Sequence, residues 1–144
     1  MALSIVSRGP IVYYVDGSGC HGLEAQSTDA SSGAAMDWAT AISTSAAYNT
    51  TTITGVSGLK FSTTAFPSLS ATPATPNCWH LPTKTELEYL YEQKTVVGGF
   101  ALTYYWSSSA VDIINAWSQN FNDGYQNYYD KTSNVLPVRA VRAF

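Results

Sequence analysis

Charge is the scarcest property of this sequence. Asp, Glu, Lys and Arg supply 12% of its 144 residues, about half the share usual in globular domains. Lys and Arg number 7 against 10 acids, for a net charge of −3, and no run of basic residues occurs. That argues against a nucleic-acid footprint. No apolar stretch approaches the ~20 residues of a membrane span, so no direct membrane insertion is expected. The opening Met1–Arg8 is too short and too interrupted for a secretion signal. A soluble domain cut from a longer exported protein remains compatible with it. Cys20 and Cys78 are the only cysteines, and their spacing matches no metal motif. Both a disulfide between them and two separate thiols stay open. His21 and His80 stand far apart, with no nucleophile motif beside either, so neither points to catalysis.

What is present in quantity is apolar and neutral polar. Hydrophobic residues reach 45% and aromatics 13%. Residues 1–144 suffice for one domain with a core of its own. Its surface must be built from Ser, Thr, Asn and Tyr, which suits neutral recognition better than electrostatic capture.

Ile11–Val15 is β-branched and aromatic and ends in Asp16-Gly17-Ser18-Gly19, which reads as a buried strand leaving into a turn. His21–Ala25 can return beside it. Ala34, Ala35, Trp38, Ala41 and Ile42 recur at helical spacing, predicting a helix from Ser32 to about Ala47. Residues 50–77 then form a long irregular connection rich in Ser, Thr, Ala and Pro, with Phe61, Phe66 and Leu69 available to pack it on the body. Thr83 and Glu86 form a capping box for a second helix, striped by Leu87, Leu90 and Tyr91 and ending near Lys94. Four short strands follow: Tyr104–Ser107, Ala116–Phe121, Tyr125 to about Tyr128, and Pro137–Phe144. In the last, Val138 and Val141 are three apart, so a bulge or a strand covered on both sides is expected. Two helices followed by a small antiparallel sheet make an α+β fold.

The last forty residues interleave two kinds of residue. A frame reads Tyr104–Ser109, Ala116-Trp117, Gln119–Phe121, Gly124 and Val138–Phe144. Between these words stand residues of no common character: Val111, Asp112, Ile113 and Ile114; Asn122, Asp123 and Tyr125; Asn127, Tyr128, Tyr129 and Asp130; Thr132, Ser133, Asn134, Val135 and Leu136. Ser118, standing between two frame words, is counted with them. Trp79, Trp106, Trp117, Phe121 and Phe144 are expected in the core. Arg139 and Arg142 are expected to satisfy carboxylates or carbonyls of the fold. Tyr125, Tyr128 and Tyr129 with Asn122 and Asn127 resemble a paratope of rigid rings and adaptable amides. The alternative is an ordinary polar sheet surface. Exposed Ile113, Ile114, Val135 and Leu136 would mark a binding surface, whereas burial would place them in the core.

In series, these words are similar to those of the bacterial Lcl C-terminal domain family, named for a domain of the Legionella collagen-like adhesin. They are Ile11–Val15 with His21–Ala25, Trp79–Leu87, Val97–Phe100, Tyr104–Ser109, Ala116–Phe121 and Val138–Phe144. The resemblance implies the C-type lectin fold and covers nearly all of the chain except residues 50–77. The fold also resembles the variable proteins of diversity-generating retroelements. There, adenine-directed mutagenesis of Asn-type codons yields Asn, Tyr, Ser, Asp, Ile, Thr, Val or Leu but never Lys, Gln, Glu, Met or Trp. The wandering positions hold only permitted types, while Trp117, Gln119, Gln126 and Lys131 lie in or beside the frame.

The resemblance implies a display module for an unknown protein or glycan ligand, on a cell surface or virion, without cofactor or metal and without enzymatic activity. Calcium-dependent lectins use Glu-Pro-Asn or Gln-Pro-Asp followed by Trp-Asn-Asp, and none of these strings occurs. Asp112, Asp123 and Asp130 lack calcium-loop spacing. The active-site cysteine pattern of the formylglycine-generating enzymes that share the fold is not recognisable either. The rival expectation is a fixed-specificity adhesin binding sulfated polysaccharide, for which the last forty residues offer only Lys131, Arg139 and Arg142.

Overall fold

Two small antiparallel sheets share a core with the helices in this computed structural model, which describes residues 9–19, 21–48 and 79–144. Cys20, Cys78 and the 50–77 connection fall outside the described residues. In chain order the elements are β1 (Ile11–Val15), β2 (Gly22–Ala25), a 3₁₀ turn (Ala30–Gly33), α1 (Trp38–Ala47), α2 (Lys84–Glu92), α3 (Lys94–Val97), β3 (Tyr104–Ala110), β4 (Asn115–Asn120), β5 (Gln126–Asp130) and β6 (Val141–Ala143). The sheets run β1-β2-β6 and β3-β4-β5. The fold is α+β, as expected.

The capping box forms as read: Thr83 Oγ1 accepts from the Glu86 amide at 3.2 Å, and Glu86 Oε1 accepts from the Thr83 amide at 3.0 Å. Leu87 and Leu90 are buried on the inner face of α2. Helix α1 starts six residues later than the spacing predicted. Ser31, Ser32 and Gly33 hold left-handed backbone, with φ of 51°, 56° and 83°, which no right-handed helix can incorporate. Asp37 then caps the helix by accepting from the Thr40 amide at 2.8 Å. The apolar spacing of Ala34 and Ala35 therefore belongs to an extended entry.

Strand β1 is an edge strand and not a buried one. Only Tyr13 is fully covered, while Val12, Tyr14 and Val15 face solvent, and the register shifts between Val12 and Tyr14. The C-terminal segment resolves the valine spacing by being covered on both sides. It pairs with a new partner every one or two residues: Leu136 with Met36, Val138 with Ala30, Ala140 with Gln26, Val141 with His80. Residues from Val138 to Val141 are consequently buried without exception, and only Val141–Ala143 make a regular ladder.

Two packed clusters sandwich the second sheet. Tyr105 and Phe121 join Leu87, Leu90, Tyr13 and Val141 on one side. Trp106 and Ala116 join Met36, Ala41, Leu81 and Val138 on the other. Arg139 ties the clusters together with no solvent exposure. Its Nε donates to Asp29 Oδ1 at 2.7 Å, and its other nitrogens donate to the carbonyls of Gln26, Gly98 and Gly99. Arg142 pairs with Glu24. Both arginines thus serve the fold, as expected. Trp79, Trp106 and Phe121 are core, but Phe144 is 39% exposed at the chain end and Trp117 is only half-buried.

Candidate ligand-binding face

The outer strands of the second sheet are β3 and β5. Strand β3 is closed by bonds from the Trp106 and Ser108 amides to the Pro137 and Pro82 carbonyls, which leaves β5 as the open edge. It pairs with β4 in unbroken register from Asn115↔Asp130 to Gln119↔Gln126. Successive side chains of a strand alternate between faces. Tyr129 and Asn127 therefore lie with Ala116 and Ser118 toward α1, while Tyr128 and Gln126 lie with Trp117 and Gln119 toward α2. Five residues at about 3.3 Å each separate the ends of β5 by roughly 15 Å. The sequence-predicted positions fall into three groups along it: a tip, the strand itself and a far turn.

The tip joins the β3–β4 loop to the turn after β5. Lys131 donates its amide to the Ile114 carbonyl at 2.9 Å and its Nζ to the Asp112 carbonyl at 2.8 Å. The same ammonium stands 4.4 Å from the Trp38 ring centre. Asp112 Oδ1 accepts from the amides of Ile114 and Asn115, both at 2.7 Å. Asp130 Oδ1 accepts from the Thr132 amide, the Ser133 amide and the Thr132 hydroxyl at 2.8–2.9 Å. The amides of Ser133 and Thr132 hold the Asp130 carboxyl down at about 2. The Asn115 side chain and amides do the same, in direction, for Asp112. On this braced backbone Ile113 is 91% exposed and Val135 58%, with Val111, Ile114, Thr132 and Ser133 also exposed. Asn134 is half-buried, its amide donating to the Asp130 carbonyl.

Along the strand, Tyr128 is 50% exposed and meets the Trp117 ring edge-on at 5.8 Å. Lys84 from α2 lays its ammonium 3.5 Å from the Trp117 ring centre. Asn127 Oδ1 accepts from the Tyr128 amide at 2.9 Å. In the far turn Tyr125, Asn122 and Asp123 are exposed. Asp123 Oδ1 accepts from the Tyr125 amide at 2.9 Å. Gly124 takes φ 82° with the Tyr91 ring where a Cβ would stand, so only glycine fits there.

Three expected positions do not belong to an outward face. Ser118 is buried, its hydroxyl donating to the Asn127 carbonyl at 3.0 Å. Tyr129 is half-buried against the α1-side cluster and edge-on to Tyr104 at 5.2 Å, and burial raises its hydroxyl pKa. Leu136 packs on the same cluster. Conversely, Trp117 and Lys84 border the face and were not anticipated there. The Ala-Trp-Ser alternation of small and large residues on β4 carried the signal for Trp117. Lys84 had none, since its place depends on the packing of α2.

Each Lys and Arg among the described residues is engaged internally. Lys94 donates to the carbonyls of Phe121 and Asn122 at 2.7 and 3.3 Å. Lys84 and Lys131 are held on Trp rings, and Arg139 and Arg142 are buried. The described residues contain no group of three His, Cys, Asp or Glu placed to hold a metal, and no helix among them is long and apolar enough to cross a membrane.

A model of the Lcl C-terminal domain family matches residues 20–142, so the chain belongs to that family. It is a ligand-binding module of C-type-lectin-like fold. No curated protein matches it.

Proposed function

We propose that this member of the Lcl C-terminal domain family is a non-enzymatic display module. Its changeable face runs from the tip along β5 to the far turn and binds a protein ligand without metal or cofactor. The proposal includes a genetic setting, the variable protein of a diversity-generating retroelement, and a location on a cell surface or virion.

One observation carries the reading. Trp117, Gln119, Gln126 and Lys131 are the residue types that adenine-directed change of an Asn-type codon cannot produce, and their side chains all brace the platform. Gln119 donates to Glu88 and to the Gly124 carbonyl, and Gln126 donates toward the Lys84 carbonyl at 3.5 Å. Lys131 holds the β3–β4 loop, and Trp117 carries Lys84. The exposed side chains at Val111, Ile113, Ile114, Tyr125 and Val135 have no such duty, and Tyr128 contributes an edge-on contact with Trp117 while half its surface stays open. Aromatic and aliphatic anchors ringed by amides are the composition of protein-binding hot spots. The rival ligand, a sulfated polysaccharide, needs available cations, and those of the described residues are committed elsewhere.

The test of the genetic setting is the DNA around the gene. The expected finding is a near-copy of the 3′ end that differs at adenines, beside a reverse transcriptase. Its absence from the whole source genome overturns that part. For the ligand class, heparin is the discriminating probe: no binding is expected at low ionic strength. Heparin binding that falls steeply with added salt would establish the rival instead.

A further inference from the structure

The tip contains two kinds of position, and the hydrogen bonds separate them. Asp112 and Asp130 are of types that codon change permits, yet both carboxylates are consumed by the main chain of their own turns. Lys131 crosses between the turns, with its amide on Ile114 and its ammonium on the carbonyls of Asp112 and, at 3.5 Å, Ile113. The side chains of Val111, Ile113, Ile114 and Val135 hold neither loop this way and are all exposed.

We propose that Asp112, Asp130 and Lys131 are positioning residues that latch the two loops into one rigid tip, leaving its specificity to Val111, Ile113, Ile114 and Val135. This rests on the display reading and narrows it. A latch of this kind lets the exposed side chains be exchanged while the backbone beneath them stays fixed, so a new ligand is met without the ordering cost of loose loops. Both carboxylates stay ionised at the surface while bound to the amides of their own turns, so they brace the tip without being removed from solvent.

Two measurements on the full chain test the latch without any ligand. In the first, a single-site library covering residues 111–114 and 130–135 is displayed and sorted by protease resistance. Changes at Val111, Ile113, Ile114 and Val135 are expected to persist near wild-type frequency. Ala at Asp112 or Asp130 is expected to be depleted, with Asn, which keeps the accepting oxygen, restoring much of the loss. In the second, amide exchange is compared in Lys131→Met and wild type. The Ile114 and Asn115 amides, on the opposite loop, are expected to exchange about tenfold faster or more, as in local opening. The Tyr125 amide in the far turn is the internal control and should not change. Wild-type exchange in Lys131→Met together with free tolerance of Ala at Asp112 and Asp130 overturns the latch. Depletion of changes at Ile113 and Val135 would instead overturn the display reading itself.

Discussion

Tyr128 and Tyr129 are neighbours of the same residue type, and the fold sends them in opposite directions, so truncating each to Ala should have different consequences. Tyr128→Ala removes an exposed half-ring and one edge-on contact with Trp117. An aromatic pair contributes about 0.5–1.5 kcal/mol, and the small solvent-shielded area adds little, so a loss near 1 kcal/mol is expected. Tyr129→Ala removes the edge-on contact with Tyr104 and also uncovers the cluster around Trp106 and Met36. Burial of a large apolar side chain contributes about 1.5–3 kcal/mol, which brings the expected loss to roughly 3 kcal/mol when the aromatic pair is included. Both substitutions lose the same strand preference, so the difference of about 2 kcal/mol reports the facing of the rings alone. Urea unfolding followed by the fluorescence of buried Trp106 measures it. With a slope of about 1–3 kcal/mol per molar, the two midpoints should lie on the order of 1 M apart, at equal slopes. Equal losses, or a larger loss at Tyr128, would place Tyr128 in the core and remove the centre of the proposed face.

Two further outcomes follow from the charge arrangement. Asp130 is held at about 2 by the Ser133 and Thr132 amides, below its ordinary 3.8, so its contribution is present above pH ~4 and lost as pH falls through about 2. The Thr132 and Ser133 amide resonances should therefore titrate near pH 2, Asp130→Asn should abolish that titration, and a midpoint near 3.8 would refute the turn bonds. Arg139→Met leaves Asp29 Oδ1 and three carbonyls without that donor, with only the Tyr105 hydroxyl still donating to Asp29 Oδ2. Breaking a buried pair costs about 3–5 kcal/mol, and a loss below about 1 kcal/mol in urea unfolding would refute the network.

What the sequence disclosed and what it hid divide along the range of the interactions. The capping box at Thr83 and Glu86, the stripe on α2 and the order of the four C-terminal strands were legible because each is encoded within a few residues. The start of α1 was not, since the apolar spacing of Ala34 and Ala35 continues the helical pattern upstream of a left-handed turn that only backbone angles reveal. Strand β1 read as buried because Ile-Val-Tyr-Tyr-Val has no polar member, yet its neighbours cover one face and leave the edge open. At the candidate face, exposure of Ile113, Tyr128 and Val135 matches what their wandering character implied. Ser118, Tyr129 and Leu136 were misplaced for one reason. Residue type says only whether a position is of a kind that the codon change permits, whereas facing depends on strand parity and on which cluster lies behind it.

The proposed face lies on the edge of a sheet, and that carries a hazard, because an edge strand offers unpaired amides and carbonyls to any other strand. In an antiparallel pair, bonded and non-bonded residues alternate. The pairs Ile114–Lys131 and Asn120–Tyr125 are bonded, so by alternation the backbones of Gln126, Tyr128 and Asp130 face outward. The middle one of these is closed by its neighbour, since Asn127 Oδ1 takes the Tyr128 amide. At the tip end the strand runs directly into the Asp130 turn, whose next two amides are already taken by the carboxylate. The outward edge is thus three residues long and partly occupied, which makes it a poor template for a second strand and leaves side chains as its main offering to a partner. On the proposed display reading, that is the condition under which side chains on β5 could be exchanged without changing how the chain associates with itself.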